Sequence, residues 1–472
     1  MHFSSMYRSK FIRLYQRLDK PALRRLRQWL QSPLHLRHGD VRLFFSYLES
    51  RRVLSPVSLR RDRVFAYLYP GQPYDDARLR QVVHSALGTL QQFVGYYHAV
   101  LDEFQVGADI ARGLMHWGAD ALAGRMCDSL RRLPSRPHLR SETLLRQQYE
   151  VEQLTFDLAG TQTRAAANNL PTLFASLSAS FALSTLRYAC VAASHTHVSA
   201  ARYEIPLLPE VLAAADLWQH IPAITLYRQA YLALSQSDAQ HFAALKDAFF
   251  TYRHHLAPDE QQELLLMAIN TCIRLLNTGD ETFAHEAFAL YQGGLATGVL
   301  LDGEQISRFT YKNIVSIGLK LHEYTWTRAF IETYTPRLEA RYRDSYHAYN
   351  LARLCFAEGA HHEAHQLLTR IGEYDDTFFD LGARMMLLKI YYESGEHDAL
   401  DALLTSFARH LQRKTVLGYH KKVYQNIIRL ARKMLALPPG HTPARAALRE
   451  EIRQTQPLAE RSWLLAQLDR GD

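Results

Sequence analysis

The chain has 472 residues, 47% of them hydrophobic, which excludes wholesale disorder and exceeds a single ordinary core. Its formal net charge of +8 is unevenly spread: residues 1–100 hold 17 Lys+Arg against 6 Asp+Glu, an excess of +11, so the rest of the chain stands at −3. A separate basic unit at the N-terminus is expected.

Gly (22) and Pro (17) are sparse, Val and Ile are thinly spread, and no long segment alternates with period two, which together predict an all-α protein. "MHFSSMYRSKFIRLYQRL" is basic, yet Phe3, Tyr7, Phe11, Leu14 and Leu18 recur at steps of three and four. A first helix explains it better than a transit peptide. In "LDKPALRRLRQWLQSP", Asp19 is the expected N-cap, Pro21 lies in the first turn and Pro33 is the stop. Leu23, Leu26, Trp29 and Leu30 form its inward stripe. "DVRLFFSYLES" and "SLRRDRVFAYLYPG" follow as short helices, and Asp75 or Asp76 starts a long one. "RRLPSRPHLRSE" (Arg131 to Glu142) reads as a linker. Ser141 then opens a helix, "NNLPTLFASLSASFALSTLRYACVAASH" supplies another, and "EIPLLPEVL" marks a second break. No stretch approaches the roughly 18 uncharged apolar residues of a membrane span. Cys127, Cys190, Cys272 and Cys355 form no CxxC pair, which favours four buried small hydrophobes in a reducing, cytoplasmic setting.

The C-terminal half repeats itself weakly. "YNLARLCFAEGAHHEAHQLLTRI" and "RMMLLKIYYESGEHDALDALLTSF" align with Gly359 over Gly395, a 36-residue step. "YKNIVSIGLKLHEYTWTRAFIETY" aligns with Tyr324 at the glycine, and Ala329, Ala364 and Ala399 then fall 35 apart. "INTCIRLLNTGDETFAHEAFALY" is an earlier copy with Gly279 in its turn. Each glycine would end a first helix in a positive-φ turn, and each alanine would let the second helix approach closely.

These pairs resemble tetratricopeptide repeats in the small residue, turn glycine and second-helix alanine at Ala352, Gly359 and Ala364. The next copy departs from the pattern at Leu388 and Leu400. The lines "WLQSPLHL", "YEVEQLTFDLAGTQTRAAANNL", "LRYACVAASHTHVSAARYEIPLL", "FTYKNIVSIGLKLHEYTWTRAFIETY" and "LLKIYYESGEHDALDALLTSF" resemble a family of uncharacterised helical-repeat proteins of Bacteroidota. The resemblance implies antiparallel helix pairs stacked as a degenerate tetratricopeptide-like α-solenoid behind an N-terminal helical domain, and it implies no activity. The expected organisation is a basic domain over 1–130, a central helical segment over 141–220 and repeats over 221–472.

Three groups of residues are candidates for function. In the tetratricopeptide register, Tyr346, Tyr349, Arg353, Phe356, Met385, Lys389 and Tyr392 face the concave groove. Aromatic rings beside cations there would suit an acidic segment or a C-terminal carboxylate of a protein partner. Arg24, Arg25, Arg27, Arg51, Arg52, Arg60, Arg61 and Arg63 could form a basic surface that neutralises nucleic-acid phosphates. "FAEGAHHEAHQLL" places His361 and His365 on one helix face, but its order is not H-E-x-x-H. It reads as the exposed first turn of a second helix, with no metal bound. His195 and His197 in "SHTHVSAARYE" sit at an expected helix break without a partnered acid or cysteine. "YQGGLATGVL" lacks the Lys-Ser/Thr of a phosphate loop. No cofactor and no catalysis are expected. The expected role is a cytoplasmic protein-binding scaffold or adaptor, with a nucleic-acid-associated protein as the alternative.

Overall fold

The computed structural model describes residues 5–32, 38–133, 140–160, 168–198, 201–236, 238–277, 279–370, 377–413, 418–438 and 441–470. The described residues are helical almost throughout, as expected, and they divide into two units, 1–184 and 185–472.

In the first unit α1 (Lys10–Tyr15), α2 (Lys20–Gln31), α3 (Gly39–Glu49) and α4 (Arg61–Leu68) each pack on the long α5 (Asp76–Leu101). Aromatic residues fill the space between them: Phe11, Phe44, Tyr47 and Phe93 are buried, and Phe11 meets Phe44 at 5.1 Å between ring centroids. The expected caps are present. Asp19 Oδ1 accepts from the Ala22 amide at 2.8 Å, and Asp75 Oδ1 accepts from those of Ala77 and Arg78 at 2.9 and 3.1 Å. Pro33 lies outside the described residues. A second cluster joins α6 (Glu103–His116), α7 (Asp120–Arg131) and α8 (Ser141–Gly160) through Phe104, Ala108, Cys127, Leu130 and Val151. The segment after the linker thus packs with the helices before it. α9 (Leu170–Val198) is one unbroken helix within which the division between units falls. His195 therefore sits on a helix and not at the expected break, with Nδ1 2.5 Å from the Tyr203 hydroxyl.

The second unit takes in the end of α9 and the short α10 (Leu208–Ala213) and continues as helix pairs. These are α11 (Pro222–Gln236) with α12 (Ala239–Tyr252), α13 (Pro258–Asn277) with α14 (Thr282–Ala296), and α15 (Arg308–Lys320) with α16 (Tyr324–Tyr334). α17 (Arg343–Ala357) pairs with α18 (His361–Thr369), and α19 (Thr377–Glu393) with α20 (His397–Arg413). First helices also touch across pairs, α11 on α13, α15 on α17 and α17 on α19, which gives the unit its solenoid-like character. α21 (Gly418–Leu435), α22 (Thr442–Gln454) and α23 (Arg461–Arg470) complete it. A two-residue-per-strand hairpin, β1 (Leu301–Asp302) and β2 (Gln305–Ile306), sits between α14 and α15.

The turn glycines behave as their positions require: Gly279, Gly359 and Gly395 have φ of 108°, 81° and 70°. The third copy differs from its sequence alignment. Its left-handed residue is His322 (φ 60°), 37 before Gly359, so Tyr324 is the first residue of α16 and not the turn position. Ala364 is fully buried as expected, but its counterparts at the 37- and 36-residue spacings are the fully buried Thr327 and Leu400, whereas Ala329 is exposed and Ala399 only half-buried. In that copy the small residue stands on the first helix instead: a Cβ on Gly318 would come within 2.2 Å of Thr327 Oγ1. Gly294 in "YQGGLATGVL" has a similar packing reason, since a Cβ would meet Leu265 and Leu300 side chains at 2.7 Å. All four cysteines are buried thiols. Burial pushes the Cys272 thiol up to about 12, which leaves it protonated and unreactive at neutral pH.

Candidate functional site

Successive first helices of the second unit place equivalent positions side by side. Stepping by the 37- and 36-residue spacings of the turns, Lys312, Tyr349 and Met385 form one row. Ser316, Arg353 and Lys389 form a second, and Leu319, Phe356 and Tyr392 a third. Positions seven residues apart on one helix share a face, so the three rows make one surface. Most of these residues line a cavity of about 400 Å³, together with Gly382, Met386, Tyr424, Ile427, Ala459 and Glu460. That volume suits a few side chains of a bound segment.

Five of the seven groove residues named from the sequence line this cavity: Tyr349, Arg353, Phe356, Met385 and Lys389. Tyr346 does not. It is buried against Phe379, at 4.2 Å between ring centroids, because it lies one turn nearer the start of α17 where the helices are in contact. Tyr392 packs on Trp463 at 5.5 Å, beyond the cavity's edge. Sequence reasoning missed Gly382, which makes room for a ring: a Cβ there would lie 2.2 Å from the Tyr349 hydroxyl. It also missed Glu460, whose approach to Lys389 spans 71 positions and leaves no local pattern in the sequence.

The two central cations stand in different environments. Arg353 donates from Nη1 to Ser316 Oγ at 3.1 Å, and its guanidinium carbon lies 6.0 Å from the Tyr349 ring centroid. No described carboxylate pairs with it, and enclosure by the cavity walls lowers its pKa from the ordinary arginine value. Lys389 is paired: its Nζ lies 2.6 Å from Glu460 Oε2, 6.0 Å from the Phe356 ring centroid and 5.8 Å from that of Trp463. Lys312 on α15 stands 5.4 Å from the Phe379 ring centroid.

The histidines beside this cavity are less exposed than expected. His361 stacks on Phe356 at 5.0 Å between centroids and reaches Glu393 at 3.5 Å, while His365 Nε2 lies 2.9 Å from the Tyr391 hydroxyl. Both imidazoles tie α18 to α19, and only His362 is exposed. Their different partners turn them apart, so they do not converge on a common point.

The N-terminal arginines carry a mixed load. Arg27 pairs with Glu49 at 3.0 Å, Arg60 with Asp62 at 2.8 Å and Arg61 with Asp76 at 2.6 Å. Arg25 and Arg51 lie over the rings of Tyr97 and Tyr47, at 5.7 and 4.4 Å from the centroids. Arg24, Arg52 and Arg63 are exposed, and no described carboxylate pairs with them. No known family model, curated protein or solved structure matches the chain. No described helix is long and apolar enough to cross a membrane.

Proposed function

We propose that the protein is a non-catalytic scaffold or adaptor that holds a segment of a partner protein in the groove of its helix pairs. The observation that supports this most is the convergence of the three register rows on one open cavity. Its walls combine aromatic and aliphatic side chains (Tyr349, Phe356, Met385, Tyr424) with the cations Lys312, Arg353 and Lys389. Rings and methionine supply adaptable apolar contact, and the enclosed cations supply orientation. The expected setting is the cytoplasm, consistent with four buried, unpaired thiols.

Affinity purification with the full chain and with Met385→Arg tests the reading, because an arginine at Met385 fills the cavity. Partners retained by the wild type and lost by the variant are expected. An identical set on both baits would overturn the groove assignment, and a set lost on nuclease treatment would overturn the adaptor reading.

The exposed arginines without a described carboxylate partner, Arg24, Arg52 and Arg63, favour one alternative, a nucleic-acid-associated role for the N-terminal unit. That role predicts binding to a duplex that falls steeply between low and moderate salt. Salt-insensitive retention, equal on neutral and anionic resins, would count against it.

A further inference from the structure

We propose that the groove's ligand is an acidic peptide segment, and that Glu460 is an internal stand-in which such a segment displaces. The inference rests on the groove being the binding site. It starts from what already sits there: the Glu460 carboxylate on Lys389, at 2.6 Å, framed by the rings of Phe356 and Trp463. Glu460 belongs to no helix pair. It comes from the segment before α23, which is pinned by Asn426 Nδ2 donating to the Pro457 carbonyl at 2.9 Å and by Arg461 donating to that of Thr455 at 2.8 Å. Its backbone is left-handed, φ 57°, a conformation that residues with a side chain rarely adopt. Its side chain is 39% exposed, against 16% for Lys389, so the carboxylate approaches the lysine from the open side of the cavity.

Arg353 supplies the unmet half of the site. It stands at the same register position as Lys389, one repeat earlier, and its hydrogen bond to Ser316 leaves its charge unbalanced. Among the residues lining the cavity, Arg353 and Lys389 stand near the single carboxylate of Glu460, which pairs with Lys389 alone. A peptide with two acidic side chains gains twice: one carboxylate neutralises Arg353 in a water-poor setting, and the other replaces Glu460 on Lys389. Glu460 thus sets a threshold that weak or neutral segments do not pass. If it occupies Lys389 for roughly 80–90% of the time, it weakens apparent affinity roughly five- to tenfold.

The probe is a fluorescein-labelled pentaglutamate amide, with pentaglutamine amide as the neutral control, read by fluorescence anisotropy on the full chain. Expected are no binding of the neutral peptide and roughly five- to tenfold tighter pentaglutamate binding by Glu460→Gln. Arg353→Gln is expected to bind about tenfold more weakly, with Arg353→Lys recovering part of the loss. Circular dichroism checks that each variant is folded, and Glu460→Asp, which keeps the charge on a shorter arm, provides a second variant with an intermediate gain. A folded Glu460→Gln that binds no tighter than wild type would overturn the stand-in role. Equal binding by wild type and the Arg353 variants, or no binding by any of them, would overturn the acidic ligand. Met385→Arg separates this from the broader reading: native partners lost from that bait keep the groove as the site even if pentaglutamate fails.

Discussion

The N-terminal unit and the groove of the second unit both present positive charge, and they hold it in opposite ways. In the first, Arg27, Arg60 and Arg61 lie on the surface beside carboxylates of their own unit. Such pairs shape local structure, are screened by salt, and are worth little individually. In the groove, Arg353 is enclosed, leans on a hydroxyl and a ring, and has no described carboxylate. An arginine count locates the basic part of a chain but does not locate the charge available to a ligand. What matters is whether the fold has already balanced each cation and how much water it leaves around it.

Disrupting the groove's support gives the largest expected effect. Phe407 is fully buried among Leu388, Leu404 and Ile427, with Tyr424 at 5.8 Å, so it braces α19 and α21 from behind the cavity. Phe407→Ala is expected to cost about 3–5 kcal/mol in urea unfolding and to abolish pentaglutamate binding. Phe44→Ala, in the aromatic core around α5, carries a similar stability cost of about 3–5 kcal/mol. It should leave peptide binding in place, and loss of binding there would mean the acidic probe is held by the N-terminal arginines.

A smaller effect distinguishes the two kinds of cation by sign. Arg353→Met removes a desolvated, unbalanced charge and should leave stability unchanged or raise it by up to about 1 kcal/mol while binding falls. Arg61→Met breaks its pair with Asp76, which is only partly buried, and should lower stability by up to about 1 kcal/mol without touching groove binding. Denaturation midpoints of the two variants moving in the same direction would remove the contrast.

The helix pairs were legible because their signals are local. Asp19 and Asp75 announce helix starts, and Gly359 and Gly395 announce turns, since only a few residue types satisfy those backbone needs cheaply. The groove was legible to the extent that register survives, which is why Tyr349, Arg353, Phe356, Met385 and Lys389 fell together. Register failed one copy earlier, where His322 takes the left-handed turn that glycine takes elsewhere and Gly318 supplies the close approach expected of an alanine. It gave no sign of Glu460, because a contact across 71 positions depends on how α21 and the segment before α23 fold back. The histidines of "FAEGAHHEAHQLL" read as an exposed turn for a related reason: what half-buries His361 and His365 is contact with Glu393 and Tyr391 of α19, about 30 positions on.

The smallest expected effect concerns acid, and it falls on the N-terminal side of the comparison. Asp76 accepts from the Tyr74 hydroxyl at 2.6 Å and pairs with Arg61 at 2.6 Å and Arg80 at 3.0 Å. The Tyr74 hydrogen bond first, and the Arg61 contact second, hold its carboxyl below the usual value. Burial, reinforced by Asp76, pushes Tyr74 up to about 12, so the phenol remains a donor throughout the acidic range. A carboxyl whose pKa is lower folded than unfolded contributes stability that is fully present above its unfolded value of about 4. That contribution is lost as the pH falls from there through the folded value. Asp76→Asn keeps an acceptor for Tyr74 but removes the titration, so its unfolding midpoint should decline less steeply than wild type between about pH 5 and 2, by a modest margin because the site is partly exposed. Parallel decline of the two proteins in a thermal melt series would show that acid acts elsewhere, and would leave the Arg61–Asp76–Tyr74 contact as packing without electrostatic weight.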